Sequence, residues 1–257
     1  MAPLLSTAAP LSIRSRIATG SAVVAILMIL NYLQNGLALI PAYRGLYERW
    51  PFYVPESGKS LLQILLVVGA ASLVSRRPVR DATRDLGFLA SIGRGAAFGL
   101  GSVAVMIVGF AATTSFHVPS DLPAVIYLAG LSPLAEEVLY RAFGVGTLRH
   151  RCGAPVWLAL ALPAIVFGLG HVEKGAGWSQ SLALFALTGS GGLFFGWFYL
   201  RWRRNLWAPF FLHAGMNLSW QIFQVGDNAV AGWWPFALQA AAIVAGILAT
   251  VRFAPKL

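Results

Sequence analysis

The chain of 257 residues is strongly hydrophobic, with 58% apolar residues, 11% charged residues and a mean hydropathy of +0.70. Soluble domains usually carry about 25% charged residues, so this composition excludes an ordinary soluble domain and indicates a membrane protein. The net charge of +10 does not indicate nucleic-acid binding, because the basic residues are dispersed among short links, where anionic lipid headgroups are the expected partners.

Apolar stretches long enough to cross a bilayer recur along the whole chain, with short polar or Gly/Pro-rich links between them. They lack the alternation of polar and apolar residues that the strands of a membrane β-barrel show. The pattern predicts an all-α, polytopic membrane protein with one transmembrane domain over residues 1–257 and a motif-bearing core at about 122–224. The eight predicted stretches are 17–40, 59–75, 95–116, 122–148, 154–172, 178–200, 206–224 and 233–251.

The basic residues of the links and tails indicate the orientation of the chain. They concentrate on one side of the predicted bundle, and such residues favour the cytoplasm, which predicts that both termini are cytoplasmic. The opposite side carries only Arg44, Arg49, Lys59 and Lys174. The basic side carries Arg14, Arg16, Arg76, Arg77, Arg80, Arg84, Arg94, Arg149, Arg151, Arg201, Arg203, Arg204, Arg252 and Lys256.

Three ionisable residues interrupt the fourth stretch, in the segment LSPLAEEVLYRAFG. Glu137 and Arg141 have the i,i+4 spacing of a helical ion pair, which by itself indicates only a lock between helices. Glu136 lies about 100° around the helix and has no such partner, so we expect it to face a water-filled cavity. Ser132 and Pro133 are typical of a helix start and predict a break in the stretch just before these charges.

Two further polar clusters lie within predicted spanning stretches. FGLGH ends the fifth stretch with His171, and HAGMN in the seventh places His213 and Asn217 on one helix face. A carboxylate and imidazoles can bind and deprotonate water, with Glu136 as the general base. The two histidines and Asn217 would then orient that water or stabilise an oxyanion.

The same side chains also match the ligand set of a hydrolytic zinc site. Glu136, His171 and His213 would supply three ligands to Zn²⁺ and leave one position open for water. The zincin signature H-E-x-x-H is absent, so the spacing does not require a metal. From the residues alone, water activation with and without Zn²⁺ both stay open.

The segments EEVLYR, FGLGH and HAGMN resemble, in this order, the E-E-x-x-x-R, F-x-x-x-H and H-x-x-x-N/D motifs of the CPBP family of intramembrane proteases. This family comprises CAAX proteases and bacteriocin-processing proteins and is also called Abi. The resemblance implies an intramembrane endopeptidase, of the glutamic or the metallo type, whose helices enclose a wet catalytic cavity. It implies Glu136 as the general base and a site completed by Glu137, Arg141, His171, His213 and Asn217.

The expected partners are the lipid bilayer and a peptide or membrane-protein substrate. The short links favour a prokaryotic member in the plasma membrane, acting on peptide precursors. One alternative is a non-catalytic immunity or scaffold protein with the same fold. Another is a proton-coupled transporter, since intramembrane acids and histidines also form proton relays. Transporters usually contain paired repeats with broken helices in both halves, whereas the polar clusters here all lie in the second half.

Overall fold

The computed structural model describes residues 12–225 and 232–254 of the chain. Within these ranges the protein is all-α and contains no β-strand, which confirms the predicted fold class. The helices are α1 (Ile13–Asn31), α2 (Leu33–Leu37), α3 (Pro41–Arg49), α4 (Tyr53–Ser75), α5 (Val79–Asp85), α6 (Ile92–Thr113), α7 (Leu122–His150), α8 (Val156–Leu169), α9 (Trp178–Arg201), α10 (Trp207–Phe223) and α11 (Trp233–Phe253).

Seven of the described helices are long and apolar enough to cross a membrane: α1, α4, α6, α7, α8 with the turn that follows it, α9 and α11. The helix of the seventh predicted stretch, α10, has 17 residues, at the lower end of the 17–25 or so that a crossing needs. The chain is therefore a multi-pass integral membrane protein, as its hydropathy predicted.

The first two predicted stretches have different boundaries in the structure. The first does not continue to residue 40, because α1 ends at Asn31 and the chain turns into the short α2 and then into α3. No residue of α3 is buried, and its mixture of charged and apolar side chains is typical of a helix at a membrane interface. The second predicted stretch begins earlier in the structure, at Tyr53, and its first turns contain an ion pair of Glu56 with Lys59 at 2.5 Å.

The helix α7 runs without interruption, so the predicted break at Ser132 and Pro133 is wrong. Leu131 and Ser132 both keep helical backbone angles, and Ser132 does not act as an N-cap. The turn before Pro133 is π-helical, with the Ser132 N–H donating to the carbonyl of Tyr127, five residues back. Such local adjustments accommodate proline within membrane helices.

A second π-helical segment of α7, Glu137–Val145, carries both Glu137 and Arg141. Hydrogen bonds from residue i to i+5 are rare over nine residues, and π-helical turns occur mainly at functional sites. No pattern in the sequence predicted this segment.

Two buried clusters hold the helices together. One gathers side chains of α1, α4, α5, α7 and α8, and the other those of α6, α9, α10 and α11. Helix α7 belongs to the first cluster, and it contacts α9 and α10 as well as α1, α4 and α8. At the close approach of α6 to α10, a Cβ on Gly99 would lie 2.6 Å from the Ala208 carbonyl oxygen, so only glycine fits there. This packing fixes α10 beside α7.

The bundle has two chemically different ends. At one end the links meet: the Asn205 side chain donates to the Ser91 carbonyl at 2.9 Å. At the other end, the His117 N–H donates to the Ile222 carbonyl at 2.8 Å. We call the first the arginine-rich end, because it carries the basic side of the sequence apart from Lys256, which lies outside the described residues. We call the second the opposite end.

Candidate active site

A cavity of about 330 Å³ lies among α7, α8, α9, α10 and α11. Its wall includes five of the six predicted site residues: Glu136, Arg141, His171, His213 and Asn217. The sixth, Glu137, is fully buried and contacts two of them. The three polar clusters of the sequence therefore meet around one cavity.

The two adjacent glutamates of α7 have different surroundings. The Glu136 side chain is 25% exposed and lines the cavity, whereas the Glu137 side chain is 0% exposed. The Glu136 Oε2 lies 3.8 Å from the His213 Nε2, which is too long for a direct hydrogen bond. One water molecule can therefore contact both atoms.

The buried Glu137 holds His213 in place. Its Oε1 accepts a hydrogen bond from the His213 Nδ1 at 2.8 Å. Because Nδ1 then carries the proton, the Nε2 of a neutral imidazole is left as an acceptor on the side of Glu136. The ion pair predicted between Glu137 and Arg141 is present, with Nε 3.4 Å from Oε2, but Glu137 serves His213 as well.

The guanidinium of Arg141 lies between aromatic rings at the inner wall of the cavity. Its side chain is 1% exposed, and its central carbon lies 4.5 Å from the ring centroid of Phe167 and 5.1 Å from that of Phe195. These distances are within the range of cation–π contacts. None of its three nitrogens has a hydrogen-bond partner among the described residues. The charge is thus held by Glu137 and by ring faces.

His171 enters the cavity from the turn that follows α8, at the end of the fifth candidate span. Helix α8 ends at Leu169, and His171 precedes a short 3₁₀ turn, Val172–Lys174. Its Nδ1 donates to the Phe167 carbonyl at 2.9 Å, which leaves Nε2 available. The glycines of FGLGH explain the early end of the helix, because glycine is a poor helix former.

The first helix supports this loop from behind, a role that the sequence did not indicate. The Asn31 side chain packs directly against Gly170, the neighbour of His171. The Oδ1 of Asn31 also accepts a hydrogen bond from the Tyr140 hydroxyl at 2.6 Å. The end of α1 therefore connects the π-helical segment of α7 to the loop of His171.

Asn217 lies one turn after His213 on the cavity wall, as its i,i+4 spacing predicted. Its Nδ2 donates to the Leu128 carbonyl at 3.0 Å, so one amide proton and the Oδ1 stay available. Sequence reasoning missed other polar residues of the wall, among them Lys174, Gln221 and Gln239. The sequence could have indicated Gln239, because it is the only amide side chain in the apolar stretch of α11.

The side chains predicted as potential zinc ligands do not form a ligand set. Glu136, His171 and His213 line the same cavity, yet the described residues contain no group of three His, Cys, Asp or Glu side chains placed to hold a metal ion. The Nδ1 of each imidazole is engaged, by Glu137 and by the Phe167 carbonyl, and this leaves each Nε2 able to contact either water or a metal ion. Because the three side chains do not form a ligand set, the observed geometry fits a shared water better than a common metal ion.

Comparison with known proteins agrees with this site. Residues 118–219 match the model of a family described as Type II CAAX prenyl endopeptidase Rce1-like. The matched range contains all six predicted site residues, and at the level of the family it supports intramembrane endopeptidase activity. No curated protein and no solved structure matches the chain.

Proposed function

Residues 118–219 form a domain similar to the Rce1-like CAAX proteases of the CPBP family, and on this premise we propose that the protein is an intramembrane endopeptidase. Its substrates are membrane-associated proteins or peptide precursors, and Glu136 activates the hydrolytic water. The observation that carries the proposal is the position of Glu136 on the cavity wall, with its Oε2 3.8 Å from the Nε2 of His213.

The proposed reaction begins with a water molecule between Glu136 and His213. Glu136 takes a proton from this water, and the water oxygen attacks the carbonyl carbon of the scissile peptide bond. The tetrahedral intermediate carries a negative oxygen. When it collapses, the C–N bond breaks, and protonated Glu136 returns the proton to the departing amine.

The other motif residues have distinct proposed roles. Asn217, with its second amide proton, stabilises the oxyanion, and the Nε2 of His171 accepts a hydrogen bond from the water and orients it. Glu137 is a positioning residue, because it holds His213 through Nδ1 at 2.8 Å. Arg141 holds Glu137 in turn and adds positive charge at the inner wall of the cavity.

We propose glutamate-activated water without a metal ion, because Glu136, His171 and His213 do not converge as ligands. A chelator titration tests this choice. Incubation of the purified protein with 1,10-phenanthroline or EDTA is expected to leave the cleavage rate unchanged. A loss of activity that Zn²⁺ restores would contradict the glutamate mechanism and favour the zinc site.

Cleavage itself is tested with purified protein in lipid nanodiscs and a library of quenched apolar peptides. The wild type is expected to cleave, while Glu136→Gln and His213→Gln do not. The matched control is Glu48→Gln, which removes an exposed carboxylate on α3. Activity that survives Glu136→Gln would remove Glu136 as the base. A complete lack of cleavage together with a cellular phenotype that persists in Glu136→Gln would favour an immunity or scaffold protein.

We also propose the arrangement in the membrane that the sequence predicted. The helices form one transmembrane domain in a prokaryotic plasma membrane, with the arginine-rich end in the cytoplasm. The support is the charge asymmetry: the links and helix ends at the arginine-rich end hold most of the basic residues, and such residues favour the cytoplasmic side.

A further inference from the structure

Gln239 of α11 is a polar residue of the cavity wall that has no part in the mechanism proposed above. We infer that its side-chain amide binds the peptide backbone of the substrate and holds an extended apolar segment in the cavity that Glu136 lines. The inference rests on the proposed function for the reaction itself. It assigns a substrate-binding residue outside residues 118–219, the range that matches the family.

The side chain of Gln239 is buried without a partner. It is 9% exposed, and its amide has no hydrogen bond to any of the described residues. Burying an amide in this way destabilises a protein. If Gln239 served to lock helices together, a neighbouring helix would supply a partner, as the Trp202 Nε1 does for the Thr250 hydroxyl of the same helix at 3.0 Å. The amide of Gln239 lines the cavity instead.

The packing of α11 turns Gln239 toward the cavity. Leu238 and Ala242, at 9% and 0% exposure, belong to the second buried cluster. One turn further, a Cβ on Gly246 would lie 2.9 Å from an aromatic ring carbon of α9, so the helix is closely packed there. These three positions have i,i+4 spacing and form one face. Gln239 and Ile243 form the adjacent face and line the cavity. A rotation of α11 that withdrew Gln239 would therefore break this packing.

The chemistry of the surrounding wall explains why an amide is useful there. A peptide segment that enters an apolar cavity loses water from its backbone N–H and carbonyl groups, and both then need partners. A primary amide donates to a carbonyl and accepts from an N–H at the same time, so Gln239 provides both partners with one side chain. The wall that α9, α10 and α11 form beyond the motif residues is mainly apolar and includes Leu184, Leu187, Met216, Trp220 and Ile243.

The position of Gln239 in the bundle indicates that it acts on binding. The motif residues of the wall lie on α7, on α10 and in the turn after α8, whereas Gln239 lies on α11. The cavity of about 330 Å³ is at the lower end of the range for ligand sites and suits a short peptide segment. An interaction with a part of this segment that does not react is equally strong in the bound substrate and in the transition state. Its loss therefore raises KM and leaves kcat unchanged.

Cleavage kinetics of Gln239→Leu test this role. With the peptide that the wild type cleaves fastest, KM is expected to rise roughly 10-fold at constant kcat. The thermal midpoint of the free protein is expected to stay equal or to increase, because an unpartnered amide is replaced by an apolar side chain. Gln63→Leu is the matched control, because Gln63 is 8% exposed on the spanning helix α4 and does not line the cavity. Its KM should equal that of the wild type.

Backbone substitution in the peptide identifies the group that Gln239 binds. Esters replace the amides of the peptide one at a time, which removes single N–H donors. The wild type is expected to lose roughly 10-fold in kcat/KM at one position, while Gln239→Leu loses nothing there because the partner is already absent. Equal ester effects in the two proteins at every position would overturn the inference. Gln239→Met, which keeps the length of the side chain without the amide, replaces the leucine variant if that variant does not fold.

Peptide binding without cleavage separates this inference from the proposed function. Fluorescence anisotropy of a labelled apolar peptide gives the Kd for Glu136→Gln and for Glu136→Gln/Gln239→Leu. A roughly 10-fold weaker Kd in the double variant supports the role of Gln239. The same Kd in both proteins, or no binding by either, contradicts it. Cleavage that does not depend on Glu136, together with weaker binding by the double variant, would overturn the catalytic proposal alone.

Discussion

Two clusters of polar residues lie within the bundle, and each is built around a glutamate. The Glu56 cluster consists of Glu56, Tyr47, Lys59, Tyr127 and their neighbours Gln34 and Tyr43. The Glu136 side chain is 25% exposed and that of Glu56 is 18% exposed, so accessibility hardly separates them. The two carboxylates differ in their partners. The Glu56 carboxylate accepts hydrogen bonds from the Tyr47 hydroxyl at 2.7 Å and from the Tyr127 hydroxyl at 3.0 Å, and the Lys59 Nζ lies 2.5 Å from it.

The Glu136 carboxylate, by contrast, has His213 at 3.8 Å as its nearest ionic partner. Glu56 and its partners connect α3, α4 and α7, and Gln34 extends the connection by donating to the Tyr47 hydroxyl at 2.7 Å. A carboxylate whose oxygens are all occupied stabilises helix packing, and it has little capacity to accept a further proton. A carboxylate of similar exposure with unoccupied oxygens in a cavity can act on water. The two clusters therefore predict opposite responses to the same substitution.

The largest expected effect follows from Glu136→Gln. Amide replacement keeps the size of the side chain but removes the base, so the cleavage rate is expected to fall by roughly 10²–10⁴-fold. The thermal midpoint in detergent is expected to stay near that of the wild type, because Glu136 has no hydrogen bond to another side chain among the described residues. Rates from the peptide assay and midpoints from tryptophan fluorescence measure the two quantities. If Glu136→Gln lowers both the cleavage rate and the thermal midpoint, Glu136 has a structural role like that of Glu56.

Arg141→Leu should produce the next largest effect, on stability more than on chemistry. Removing one partner of a buried ion pair costs about 3–5 kcal/mol, because Glu137 would stay buried at 0% exposure with its charge uncompensated. Denaturant titration in detergent measures this free energy of unfolding. The double variant Glu137→Leu/Arg141→Leu should recover much of it but not activity, since His213 then loses its Nδ1 partner. Equal stability of the single variant and the wild type would contradict the pairing.

Hydrophobicity explains why the fold was predictable. Twenty-residue apolar stretches leave few alternatives to membrane helices, because the backbone must satisfy its own hydrogen bonds in lipid. The residues of the site were predictable for a related reason. Charges and imidazoles such as Glu136 and His213 are costly in a bilayer, so each one present in a spanning stretch indicates a role. Their spacing also placed His213 and Asn217 on a common face.

Tertiary contacts determined what the sequence could not show. The pattern at Ser132 and Pro133 indicates a helix start in water, but packing on both sides of α7 favours a continuous helix with a π-helical turn. The link from His213 to Glu137 joins residues 76 positions apart, and no local spacing reports it. Gln34 and Tyr47 likewise join the Glu56 cluster only because α2, α3 and the start of α4 lie close together. Local patterns thus indicated the residues around Glu136 but not the Glu56 cluster, and packing decided which carboxylate was left free.

Glu56→Gln tests the other side of the comparison. Hydrogen bonds to a charged group contribute about 1.5–3 kcal/mol, so the variant is expected to lose stability in this range. Its cleavage rate should remain close to the wild-type value, because Glu56 does not line the cavity. Unfolding titrations and the peptide assay of the same preparation measure both. The expectation fails if Glu56→Gln abolishes cleavage while it leaves stability unchanged, as that is the behaviour assigned to Glu136.

The smallest expected effect concerns the hydrogen bond between the Tyr140 hydroxyl and the Asn31 side chain, 2.6 Å long. Tyr140→Phe should cost about 1 kcal/mol of stability, because it leaves the buried Asn31 oxygen without that donor. Since Asn31 also packs behind the loop of His171, kcat is expected to decrease while KM stays constant. Tyr199→Phe is the matched control, because the Tyr199 hydroxyl is buried without a hydrogen-bond partner among the described residues. Removing that hydroxyl should be neutral or stabilising. If both variants behave alike, the first helix does not position His171, and the site is organised by α7 and α10 alone.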